Sequence, residues 1–68
     1  MDISIKKFSE LCARSRHGGL TIYEHQEKKE LADRLVENGI MTNNGVYNFV
    51  DPENTKYFVD TIKNWNNK

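Results

Sequence analysis

Residues 31–50, LADRLVENGIMTNNGVYNFV, decide the fold. They read as the end of an amphipathic helix, a glycine stop and a short β-hairpin. Leu31 and Leu35 are one helical turn apart and share a face. Gly39 is placed to take the left-handed conformation that closes a helix, with Ile40 folding back onto Leu35 as in a Schellman cap. Residues 40–42 and 46–50 can pair across Asn43-Asn44-Gly45, a turn of residues that tolerate positive φ. Along the second strand Val46, Asn48 and Val50 alternate with Tyr47 and Phe49. Tyr47 and Phe49 are expected to face inward, with Val46 and Val50 competing for that role.

Upstream, Thr21 and Glu24 form the spacing of a capping box, so a helix is expected over residues 22–38. Its first half, EHQEKKE at 24–30, holds no large apolar residue. Its apolar face is Ile22 or Tyr23, then Leu31, Ala32, Leu35 and Val36. The polar turns are expected to be exposed and held by Glu24–Lys28 and Glu30–Arg34 pairs. A first helix is expected over residues 4–14, capped by Asp2 or Ser4, with Ile5, Phe8, Leu11 and Cys12 as its buried stripe. Glu10 and Arg14 pair along it, and His17-Gly18-Gly19 ends it. Downstream, Asp51 as N-cap and Pro52 at N1 open a third helix. Phe58, Ile62 and Trp65 form its stripe and are expected to close the core. The tail, Asn66-Asn67-Lys68, is expected to fray. The fold class is α+β: three helices and a two-stranded hairpin in the order α-α-β-β-α, as one domain.

Composition narrows the function classes. In 68 residues there is one cysteine, which excludes an intramolecular disulfide and fits a reducing compartment. No apolar run approaches the roughly 20 residues of a membrane span, and no signal-peptide pattern opens the chain. A cytoplasmic protein without a membrane partner is expected. Chains this short have thin cores, worth roughly 3–5 kcal/mol, and often lean on partners. Ten basic and ten acidic residues cancel, which removes the simplest argument for nucleic acid. The distribution is uneven: residues 1–19 carry +2 and residues 20–38 carry −2. Eight asparagines point to an AT-rich coding sequence.

Residues 4–50 resemble a winged helix-turn-helix domain. ISIKKFSELC looks like the first helix of that motif, and ELADRLVENGIMTNNGVYNFV looks like the end of a recognition helix followed by a wing. The resemblance implies a second helix in the major groove, with His25, Gln26, Lys28, Lys29 and Arg34 facing it. It also implies a wing tip at Asn43, Asn44 and Gly45 near the DNA backbone.

Chemistry is not expected. Cys12, His17 and His25 lack the number and spacing of zinc ligands, and Cys12 belongs to an apolar stripe. HGGLT at 17–21 matches no phosphate-loop pattern. Carboxylate pairs such as Glu27 with Glu30, or Asp33 with Glu37, lie on an exposed helix, where nothing shifts them toward acid–base work. No enzyme, no cofactor and no metal is expected. The expected function is a small regulator that binds and modulates another protein, of the size of a phage or mobile-element inhibitor. Its contact residues are Glu24, Glu27, Glu30, Arg34, Tyr57 and Trp65, since Tyr and Trp anchor interfaces. The alternative is a DNA-binding transcriptional regulator, dimeric, that contacts duplex DNA through Lys6, Lys7, His25, Gln26, Lys28, Lys29, Asn43 and Asn44.

Overall fold

A computed structural model describes residues 3–65. The expected cap at Asp2 and the expected fraying of residues 66–68 lie outside the described residues. Three helices and one antiparallel hairpin follow in the order α1 (Ile3–His17), α2 (Ile22–Glu37), β1 (Met41–Asn43), β2 (Tyr47–Phe49) and α3 (Pro52–Asn64). The helix α1 packs against both α2 and α3, while β1 leans on α2 and β2 on α3.

Local chemistry explains most of the element ends. Thr21 accepts from the Glu24 N–H and the Glu24 carboxylate accepts from the Thr21 N–H, so the capping box that starts α2 is complete. At the other end Gly39, at φ +76°, donates to the Val36 carbonyl and Ile40 donates to the Leu35 carbonyl. These two bonds make a Schellman cap. Asp51 accepts from the Glu53 N–H and Pro52 follows it at the start of α3.

Four expectations are corrected. Ser4 lies inside α1 and is not its cap, and α1 continues to His17 instead of ending near residue 14. Gly18 and Gly19 both donate to the Arg14 carbonyl, which lets the helix run up to the first glycine. The turn is shifted by one residue. Asn43 belongs to β1 and faces Tyr47, leaving Asn44, Gly45 and Val46 as the loop. The Asn43 Oδ1 accepts from the Gly45 N–H, and Gly45 takes φ +92°, a value that glycine adopts without a Cβ penalty. Neither Ile22 nor Tyr23 joins the apolar face: they are 76% and 83% exposed.

The core is Ile5, Phe8 and Leu11 of α1 against Leu31, Ala32 and Leu35 of α2, closed by Met41. Tyr47 and Phe49 face it, whereas Val46 and Val50 are exposed. Phe8, Phe49 and Phe58 meet pairwise, with ring centroids 5.5 to 6.1 Å apart. That triad fastens α3 and the hairpin to α1 through edge and stacked contacts. The fourth correction concerns α3, which buries no residue fully. Phe58 and Tyr57 pack on the core, while Ile62 and Trp65 are half-buried beyond it. The hairpin already covers part of the face that a longer α3 stripe would need.

Candidate protein-binding face

Two ion pairs bridge α1 and α2 above the core. Lys7 Nζ is 2.7 Å from Glu27 Oε2, and Arg14 is 2.5 Å from Glu24 Oε2. Ascending on α1 matches descending on α2, so the helices run antiparallel. Glu24 therefore pairs across to Arg14 of α1 instead of with Lys28 as expected, and Glu27 pairs across to Lys7. Glu24 is held below the usual carboxylate range, first by the Thr21 N–H and then by Arg14.

A run of shallow hollows crosses α1. The first lies between the start of α1 and the middle of α2, and includes Lys7, Glu27, Glu30 and Arg34. The second includes Lys7, Glu10, Arg14, Glu24 and Glu27, with Trp65 at its edge. The third lies between α1 and α3 and includes Glu10, Tyr57, Asp60 and Trp65. Lys7 and Glu27 join the first to the second, and Glu10 and Trp65 join the second to the third. All six residues chosen from sequence as protein contacts, Glu24, Glu27, Glu30, Arg34, Tyr57 and Trp65, line this one continuous face.

Sequence reading missed Glu10, Arg14 and Asp60 as members of the face. The signal for two of them was present: Lys7, Glu10 and Arg14 recur on one side of α1 at i, i+3 and i+7. Along the whole run Glu10, Glu24, Glu27, Glu30 and Asp60 outnumber Lys7, Arg14 and Arg34, so the face is acidic. Ile3 adds apolar surface at one end of it, and Tyr57 and Trp65 at the other.

The residues expected to touch DNA differ in exposure and in partners. Lys6, His25, Gln26, Lys29 and Asn44 are exposed. Lys7 is paired with Glu27, and Lys28 is half-buried toward α1. Lys28 and Arg16 both pull the Cys12 thiol pKa down, against the larger upward push of burial. The Asn43 side chain is engaged in its own turn. Asp33 of α2 accepts a hydrogen bond from the Tyr47 phenol, which puts a carboxylate between α2 and the hairpin.

Cys12, His17 and His25 do not converge. Among the described residues no three His, Cys, Asp or Glu side chains come together as metal ligands. No helix among them is long and apolar enough to cross a membrane. Comparison with protein-family models, with curated proteins and with solved structures gave no match.

Proposed function

We propose that this chain is a small non-enzymatic regulator that binds and modulates another protein, in the manner of a phage or mobile-element inhibitor. Its docking face is the run across α1 from Arg34 and Glu30, past Glu27 and Glu24, to Trp65 and Tyr57. The observation that carries this reading is the continuity of that face. An acidic excess beside two half-buried aromatic side chains suits a partner with a basic surface and an apolar anchor point. Charge of that kind steers the encounter, and the aromatics hold the complex.

A second reading, a winged-helix regulator bound to duplex DNA as a dimer, draws support from the exposed hairpin tip and the exposed Lys6 and Lys29. Phosphate contacts would make such binding fall by orders of magnitude between about 50 and 200 mM salt.

One experiment separates the two. The wild type, a Glu30→Lys/Tyr57→Ala variant and an Asn44→Lys control are used for affinity capture from a host lysate. The same three proteins are titrated against random-sequence duplex DNA at both salt concentrations. A captured protein that is lost with the face variant and kept by the control supports protein binding. Salt-sensitive DNA binding without such a partner supports the second reading and overturns the first.

A further inference from the structure

Two further hollows adjoin where α1 and α3 both end. One is lined by Arg14, His17, Gly18, Gly19 and Trp65. The other is lined by Arg16, His17, Ile62 and Lys63. His17 belongs to both. No carboxylate lines either hollow, although the chain as a whole has as many acidic as basic residues. The ion pairs among the described residues are Lys7–Glu27 and Arg14–Glu24, which leave Arg16 and Lys63 without a carboxylate partner.

Cations near a helix C-terminus complement its dipole, and this accounts for each helix end taken separately. It does not account for the convergence of the two ends. The packing of α3 along α1 brings Lys63 beside Arg16 and His17, and Trp65 lines the adjoining hollow with His17. Cations beside an aromatic ring suit a ligand that joins an oxyanion to a planar base. The guanidinium and ammonium groups take the phosphate oxygens, and the ring stacks on the base.

We propose that this basic end, formed by Arg16, His17 and Lys63 with Trp65 at its rim, binds the phosphate group of a nucleotide or of single-stranded nucleic acid. None of the residues expected to contact duplex DNA lines it. The site shares Arg14 and Trp65 with the protein-binding face, while Arg16, His17 and Lys63 line this end and not that face.

Trp65 is the only tryptophan and also borders the protein-binding face, so its fluorescence is read together with amide shifts at residues 16–19, which line this end. The full chain is titrated with AMP and with a short oligothymidylate at about 50 mM salt, with sodium chloride at matched ionic strength as the blank. Binding is read by Trp65 fluorescence and by amide NMR shifts. The expected result is quenching, with shifts concentrated at residues 16–19 and 62–65. An Arg16→Gln/Lys63→Gln variant with an unchanged circular dichroism spectrum is expected to bind at least tenfold more weakly. Tighter binding of the oligonucleotide than of AMP identifies a single strand as the ligand, and equal binding identifies a nucleotide. Either outcome upholds the site. No response to AMP or oligonucleotide at millimolar concentration overturns it, and so does undiminished affinity in the double variant.

Discussion

The Tyr47 phenol donates a hydrogen bond of 2.9 Å to the Asp33 carboxylate, tying the hairpin to α2 across 14 residues of chain. Removing the hydroxyl alone, as Tyr47→Phe, leaves the ring against the core. The variant is expected to have a lower thermal midpoint, and its hairpin amides are expected to exchange faster with solvent. The bond to Asp33 also raises the phenol pKa. Its stabilising effect is therefore fully present below the unfolded tyrosine value, about 10, and is lost as pH rises through the higher folded value. In an alkaline absorbance titration the Tyr47 step should move to lower pH in Asp33→Asn and be absent in Tyr47→Phe.

Glu24 gives the opposite pH dependence. Its folded pKa is depressed, by the Thr21 N–H first and by Arg14 after it. The stability it contributes is fully present above the unfolded glutamate value, about 4.3, and is lost as pH falls through the lower folded value. Thermal midpoints measured from neutral pH to about pH 2 should fall less steeply for Glu24→Gln than for the wild type. Parallel profiles would remove Glu24 from this role.

Gly39 is constrained by its backbone and not by its surroundings. A Cβ there meets nothing within 4 Å, but φ is +76°. The left-handed conformation costs a residue with a Cβ about 1–2 kcal/mol. Urea denaturation of Gly39→Ala should show a loss of that size. Gly18→Ala serves as the control, because Gly18 has no positive φ, and it is expected to change stability much less.

Ser9 is fully buried in α1, and its hydroxyl has no hydrogen-bond partner. Burying a hydroxyl without a partner costs about 1–3 kcal/mol. Ser9→Ala removes the cost and leaves almost the same volume. It is expected to raise stability by about 1 kcal/mol, read from the same urea experiment. A loss of stability would mean that the hydroxyl is satisfied in solution.

Leu35 is also fully buried, at the centre of the core. Leu35→Ala is expected to cost about 2–5 kcal/mol. In a domain this small that is comparable with the whole stability, so the variant should lose its cooperative melting transition.

The sequence by itself determined the element types, their order and most of their ends. Thr21 with Glu24, Gly39 with Ile40, and Asp51 with Pro52 each settle their hydrogen bonds within a few residues, so nothing distant can change the outcome. The separation of Tyr47 and Phe49 from Val46 and Val50 was legible for the same reason, since alternation along a strand is local, but which set faces inward depends on the helices packed beneath the hairpin. The one-residue shift of the turn was not, because Asn43 serves equally well as a strand end or a turn residue until its partner Tyr47 is placed. The six face residues could be chosen singly, but their continuity could not be read. It depends on α1 lying between α2 and α3, which is a matter of packing. The tertiary structure alone decided that Glu24 and Glu27 reach across to Arg14 and Lys7. It also decided that Ile62 and Trp65 stay half-buried, and that Arg16, His17 and Lys63 share one end of the molecule. Contacts between residues far apart in the chain arise only once the helices have packed, and helical periodicity specifies a face without naming what lies opposite it.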